Sequence, residues 1–310
     1  MTVTDAGSVI EIDIDRYGQD ARVSALADFL EIAALSRIRV TRAALADLIV
    51  DNEWARRPVR RYHLAEDMPE EADSWSDAVF RMIGDRGASL RDVYPFEERG
   101  RSVQLKSSAC DPRESAYVAL LAITAVHAWN LPCTVSVEAT LEDLVARTLH
   151  ALGMTVANIG VTDRGSGFLD ALRQGAATLG LRAHPNPTPR SVRAKDIGVD
   201  TLAGVVWGDQ RVAGQWLTLG QVTVAQSQYW PQKLNEPEAP RWADYLQELI
   251  HPQVFLAIPH HIQDDHLRNM MAGRRGLVID RLRLAARMPS NTAAERTVIE
   301  ALLASTVSGP

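Results

Sequence analysis

The chain has 310 residues, 46% of them hydrophobic, which is enough apolar material for a sizeable core and enough length for two domains. A formal net charge of −6 argues against a protein that coats nucleic acid through excess Lys and Arg, although it leaves room for a local basic groove. No apolar run approaches the roughly 20 residues of a membrane helix, the acidic stretch Met1 to Asp20 is unlike a secretory leader, and Cys110 and Cys133 lack C-x-x-C spacing. The expectation is a cytoplasmic chain with free thiols and no membrane partner.

The first third reads as helical. Val23, Leu26, Phe29, Leu30 and Ala33 recur at helical spacing within 21–35, and a second helix opens behind Thr41 as N-cap, with Leu45, Leu48 and Ile49 on its apolar side. Arg56, Arg57, Arg60 and Arg61 form a basic cluster in a loop. Four arginines can meet phosphate, but the acidic stretch from Glu66 to Asp73 makes an internally paired surface the plainer reading. A short helix is expected over 75–83 and an extended anchor at Tyr94-Pro95-Phe96. Asp111-Pro112-Arg113-Glu114 has the form of a helix start, leading into a buried helix as far as Trp129.

Thr140-Leu141-Glu142-Asp143 reads as a capping box for a helix that ends near Gly153. Leu141, Leu144, Val145, Thr148, Leu149 and Leu152 share one face of that helix; Glu142 falls on its border, while Asp143 and His150 point away. Taken alone, a border glutamate snorkels to water. A strand over 155–161, a helix over 167–179 and a proline-rich loop over 183–193 follow. Then come Lys195-Asp196-Ile197-Gly198-Val199-Asp200 and two apolar segments, 201–207 and 216–221, that read as neighbouring strands. A strand opening at Asp200 and a partner ending at Gln221 can set two oxygens around a hard divalent cation. The plainer alternative is that Asp196 and Asp200 are solvated turn residues.

Further on, 242–250 reads as a helix, 254–258 and 276–279 as short strands, and Asn291 or Thr292 caps a final helix through Ala304. His260-His261, with Asp264, Asp265 and His266, invites a metal reading, but adjacent histidines on a strand point to opposite faces. Arg274, Arg275, Arg281 and Arg283 suit either the edge of a phosphate groove or a set of salt bridges. There is no G-x-x-x-x-G-K loop, and Gly165-Ser166-Gly167 is too short for a nucleophile elbow.

Leu141-Glu142-Asp143-Leu144-Val145, Gly198-Val199-Asp200 and Gly220-Gln221-Val222-Thr223 resemble, in order, the helix F-E-x-L-V, strand G-I-D and strand Q-x-K motifs of the Mrr-like branch of the restriction-endonuclease-like PD-(D/E)xK superfamily. The resemblance covers residues 136 to 288 and extends to uncharacterised proteins of bacterial anti-phage defence. It implies an α/β fold: a helical N-terminal region over 1–135, then a restriction-endonuclease-like mixed sheet flanked by helices over 136–310. The implied activity is a DNA endonuclease dependent on Mg2+ or Mn2+, with Asp200 as principal metal ligand, Gln221 as the second and Glu142 as a helix-borne helper. Other defence-system subunits are the implied partners, and a homodimer would supply one site for each strand of a duplex.

In such a site the metal offsets charge at phosphorus and activates water, and a lysine orients or deprotonates that water. The sequence departs from the pattern at the lysine, since the position two after Gln221 is Thr223. The only lysines are Lys106, Lys195 and Lys233. Lys233 is taken as the relocated catalytic lysine, with Lys195 as the other candidate. If neither reaches the site, the chain is a catalytically degenerate subunit that binds nucleic acid or scaffolds a complex.

Overall fold

The computed structural model describes residues 19–52, 54, 68–108, 111–160, 167–185, 198–209, 215–247, 251–274 and 276–307. Cys110, the cluster Arg56 to Arg61, Gly165-Ser166, Lys195, Asp196 and Arg275 lie outside the described residues. The chain divides into two compact units. One combines the residues up to Cys133 with those from Asn291 onward, and the other runs from Thr134 to Ser290.

The first unit contains helices α1 (Gln19–Leu35), α2 (Arg42–Asp51) and α3 (Met68–Leu90), a hairpin of β1 (Phe96–Arg99) and β2 (Ser102–Leu105), and helix α4 (Ala116–Ala128). Thr41 caps α2 as expected, accepting from Ala44 N, whereas the short helix expected over 75–83 is part of the 23-residue α3. The Asp-Pro signal at 111–112 opens only a 3-10 turn, Pro112–Glu114, and α4 starts afresh with its own cap at Ser115. Every residue of α4 from Tyr117 to Val126 is buried, as an all-round apolar helix at the centre of a core must be.

Arg86 is fully buried and pairs with Asp28 and Glu31, both at 2.8 Å. Tyr94 and Tyr117 donate to the same Glu31 at 2.6 and 2.9 Å. Burial and the neighbouring Glu31 charge hold the Tyr94 hydroxyl well above its usual range, so it remains a donor.

The last helix, Ala293–Val307, also belongs to this unit. It packs on α4, and Asn291 Nδ2 donates to the carbonyls of Arg113 and Ser115 at 2.8 and 3.2 Å. Val298, Ile299 and Leu302 are its buried apolar stripe. The second unit therefore ends at Ser290, short of the expected boundary at 310.

The second unit is a mixed α/β structure. It contains α5 (Val137–Ala151), β3 (Thr155–Asn158), α6 (Phe168–Thr178), β4 (Thr201–Val205), β5 (Trp216–Val222), α7 (Trp230–Asn235), β6 (Gln253–Ala257), α8 (Asp264–Arg274), β7 (Gly276–Ile279) and α9 (Arg281–Ala285); the final helix of the chain is α10. The sheet order is β3-β4-β5-β6-β7. The first two pairings are antiparallel, with Asn158 opposite Thr201 and Thr201 opposite Gly220. The last two are parallel, with Gln221 beside Leu256 and Leu256 beside Val278. This topology gathers the ends of β3, β5, β6 and β7 and the beginning of β4 at one edge.

The two faces are distinguished by alternation. α6 packs on Ile159, Leu202 and Leu219, and α7 and α8 bury Leu256 and Val278 on the same side of the sheet with Trp230 and Met270. Asn158 points the other way and donates to Asp143 Oδ1 of α5 at 3.3 Å, so α5 covers the opposite face. Ser136, not Thr140, caps α5, accepting from Ala139 N; a competent cap one turn upstream extends the helix. In place of the helix expected over 242–250 there is a 3-10 segment, Ala239–Asp244. After it, His184 N donates to Tyr245 O and Gln247 N to Arg182 O, so burial of Trp242, Tyr245 and Leu246 is achieved with extended pairing; residues 248–250 lie outside the described ones. Among the described residues no helix is long and apolar enough to cross a membrane.

Candidate functional site

The start of β4 is held by its backbone. Asp200 N donates to Gly220 O at 2.8 Å, and Asp200 O accepts from Ile159 N and Gly160 N at 2.7 and 3.0 Å. The carboxylate continues the ladder: Oδ2 accepts from Val222 N and from Gln221 Nε2, each at 2.7 Å. Oδ2 thus takes the position a strand carbonyl would otherwise fill. With 7% of its surface exposed, Asp200 is a buried acceptor, and the solvated-turn alternative does not hold for it.

Two glycines permit this closeness. A Cβ on Gly160 would stand 3.3 Å from Asp200 Oδ1, and Gly198, at φ +70°, lies so near α7 that a Cβ would be 2.6 Å from that of Glu236.

Gln221 shares the α6 face with Leu217 and Leu219 by alternation and is also buried. Its amide orientation follows from its partner, because an ionised carboxylate only accepts. Nε2 therefore faces Asp200, and Oε1 is left buried with no hydrogen-bond donor among the described residues. A buried amide oxygen without a donor is uncommon and costly.

The other expected residues are placed differently. Glu142 is buried on α5, which covers the opposite face from Gln221. A polar chain runs along the α5 side of the sheet: Thr201 Oγ1 donates to Asn158 Oδ1 at 3.0 Å, and Asn158 Nδ2 donates to Asp143, the neighbour of Glu142. Lys233 lies on α7 with its ammonium 2.9 Å from Glu236 Oε2. Thr223 serves the turn after β5, its Oγ1 accepting from Ala225 N at 3.1 Å. Direct contact therefore joins Asp200 and Gln221, while Glu142 sits on the helix across the sheet and Lys233 is engaged by Glu236.

Sequence reasoning missed the Val222 N–H, since a backbone donor leaves no residue-type signal. It also missed Asp280, whose position before a short helix was the available clue. Asp280 is buried, caps α9 by accepting from Arg283 N and also accepts from Ile262 N; burial raises its carboxyl above the usual range. His260 and His261 are buried, and His260 lies 3.3 Å from Val224 O with its ring 5.3 Å from that of Trp230. Arg281 is fully buried and donates to Pro259 O at 2.7 Å, and Arg283 donates to Val278 O. Arg281 thus ties down the segment at Pro259, and Arg283, which is exposed, braces strand β7. Among the described residues no group of three or more His, Cys, Asp or Glu is placed to hold a metal.

Asp200 and Gln221 nevertheless suit a hard cation. Both offer oxygen, and rotating the Gln221 amide would set Oε1 in place of Nε2, beside Asp200 Oδ2. The two positions are 2.7 Å apart, near the roughly 3 Å between neighbouring oxygens around magnesium when each lies about 2.1 Å from the ion. No family model matches the chain, and neither a curated protein nor a solved structure is significantly similar to it.

Proposed function

We propose that the second unit is a nuclease-like domain of the PD-(D/E)xK kind, and that the protein is an endonuclease acting on DNA with Mg2+ or Mn2+. The observation that carries this reading is the contact of Asp200 with Gln221, which brings two motifs separated by 21 positions together at one edge of a sheet. The sheet supports it in part: after helix α5 come three antiparallel strands, β3, β4 and β5, with α6 inserted between the first two, then a crossover through α7 to the parallel β6, with the acid just before the second strand and the amide at the end of the third.

Asp200 and Gln221 would hold the cation, which when bound polarises a phosphate oxygen and lowers the pKa of water. The Val222 N–H donates to Asp200 Oδ2 and fixes its position. Gln221 turns between donating to Asp200 and presenting Oε1. Lys233 would take part by leaving Glu236. The test is nicking of plasmid DNA in Mn2+: the wild type cuts and Asp200→Ala does not. Undiminished cutting by Asp200→Ala would refute the assignment.

A second reading is a catalytically degenerate fold that binds DNA, or scaffolds other subunits of a defence system, without cutting. Its specific support is the structural use of the Thr223 hydroxyl and the Lys233–Glu236 pair, so that no lysine is engaged at Asp200 and Gln221 among the described residues. Retention of DNA by a wild-type protein that never cuts it, in Mg2+ or Mn2+, would select this reading.

A further inference from the structure

Two neighbouring turns of the first unit hold an arginine where glycine is the usual residue. Helix α1 ends in a Schellman turn, with Ile38 N donating to Ala33 O at 2.8 Å and Arg37 N to Ala34 O at 3.1 Å. The left-handed position of such a turn is normally glycine, yet here it is Arg37, at φ +60°. The β1–β2 hairpin closes on Gly100 and Arg101, at φ +59° and +71°, between the paired Arg99 and Ser102. A two-residue turn with both centres left-handed calls for Gly, Asn or Asp. A left-handed arginine costs stability that its own turn does not return, and such departures gather at functional sites. The segment after Arg37 lies alongside the hairpin: Thr41 bridges to Ser102, and Arg42 N donates to Arg101 O at 3.3 Å. Arg39 reaches to the hairpin tip, with Nη2 3.2 Å from Gly100 O and Nε 3.1 Å from Ser102 Oγ. Arg37, Arg39, Arg99 and Arg101 are all exposed, and none is paired with a carboxylate among the described residues. Glu98, the nearest acid along β1, is taken by Arg42, which also holds Asp77. A surplus of positive charge therefore remains at the tip.

We infer that Arg37, Arg39, Arg99 and Arg101 form a binding surface for the phosphate backbone of DNA, a role that rests on the proposed action on DNA. The chemistry of the surface selects this occupant. A protein partner needs an apolar centre to the contact, and a membrane needs an apolar wedge. No large apolar residue is exposed over 36–43 or 97–106, so the partner is held by charge and hydrogen bonds. Guanidinium groups present a planar fork that fits phosphate oxygens two at a time. Contacts of this kind position a duplex without reading its bases. The net charge of −6 belongs to the whole chain, and exposed charges more than about 10 Å from the surface are largely screened at 0.1 M salt. What a nearby phosphate meets is the local surplus of arginine.

The test uses the full chain in EDTA with a short fluorescein-labelled DNA duplex, read by anisotropy across a salt series. Arg37→Gly/Arg101→Gly gives both turns the residue they call for, so it should melt no lower than the wild type. The same variant should bind the duplex roughly tenfold or more weakly at about 0.1 M salt, and its log–log salt slope should be shallower by about 1.8, two phosphate contacts at about 0.9 each. Arg37→Lys/Arg101→Lys keeps the charge and should keep the slope. Arg99→Gln, which leaves both left-handed positions untouched, should lower the slope by about 0.9. The loss should be equal for duplexes of unrelated sequence. Affinity and slope unchanged in the glycine pair and in Arg99→Gln overturn the inference. So does weakened binding to phosphatidylglycerol vesicles with DNA binding unaltered, which would make the arginines a lipid-headgroup contact. The two proposals fail separately: binding lost in the glycine pair without cleavage by any form in Mn2+ removes the nuclease but keeps the surface, and cleavage that needs Asp200 while the glycine pair binds as the wild type does the reverse.

Discussion

Replacing Gln221 by glutamate probes the candidate site most directly. It sets a second carboxylate where the Gln221 amide now lies, 2.7 Å from Asp200 Oδ2 and almost out of solvent. Two carboxylates so close cannot both be ionised, and one retains a proton. The unfolded chain holds no such proton at pH 7. Holding that proton at pH 7 on a carboxyl that ordinarily ionises near pH 4.3 costs roughly 3.7 kcal/mol. An acid-to-carboxylate hydrogen bond replaces the lost Nε2 donor and returns about 1–2 kcal/mol. Gln221→Glu should therefore be about 2–3 kcal/mol less stable than the wild type at pH 7 in EDTA.

The sign with pH follows from the raised folded-state pKa. The penalty is absent below about pH 4.3 and grows as pH rises through the neutral range. Mn2+ should displace the shared proton and restore stability, by about 2.7 kcal/mol at a concentration a hundred times its dissociation constant. Urea unfolding followed by tryptophan fluorescence is the assay, with buried Trp230 and Trp242 as reporters of this unit. A variant as stable as the wild type in EDTA at pH 7, and indifferent to Mn2+, would refute both the shared carboxylate geometry and the cation site.

In the first unit, Arg86→Ala leaves Asp28 and Glu31 as buried carboxylates without their cation; a loss of about 3–5 kcal/mol is expected in denaturant unfolding, and a loss below 1 kcal/mol would show that water reaches the site. For Asp280, burial raises the folded-state pKa above 3.8, so the carboxyl favours folding most at acid pH and progressively less as pH climbs through its raised value. Asp280→Asn, which can still cap α9, should flatten that part of the pH–stability curve, measured by thermal melting from pH 3 upward; an unchanged curve would count against the buried carboxyl. Gly220→Ala would drive a Cβ into the Phe255 ring, with an expected cost of about 1–3 kcal/mol that Gly220→Ala/Phe255→Leu should partly recover. Failure of the second change to recover stability would place the strain elsewhere.

Much of the fold is legible in the sequence where the signal is short-range. Apolar residues at helical spacing within 21–35, the Thr41 cap, the run 167–179 and the two apolar segments around Trp207 and Trp216 each correspond to an element with nearly the expected limits. Where a local signal had competition, the boundary moved. Ser136 outranked Thr140 as a cap, and Asp111 was satisfied by one 3-10 turn before Ser115 began α4. α7, α8 and α9 were not anticipated; α7 and α9 have only six and five residues, too few to display a period.

By itself the sequence determined the elements whose apolar period or cap is written within a dozen residues, and it marked Asp200 and Gln221 as flanking two adjacent strands. Only the tertiary structure decided that β6 and β7 run parallel to β5, that α5 and its Glu142 cover the face away from Gln221, and that α10 returns to the first unit. The same holds for Asp200, where the expected metal ligand is the acceptor that ends a strand ladder. The physical reason is range. Caps and periods are set by neighbours along the chain, whereas pairing and facing are set by burial summed over residues far apart in sequence, and a backbone N–H such as that of Val222 gains its partner only when the strands meet.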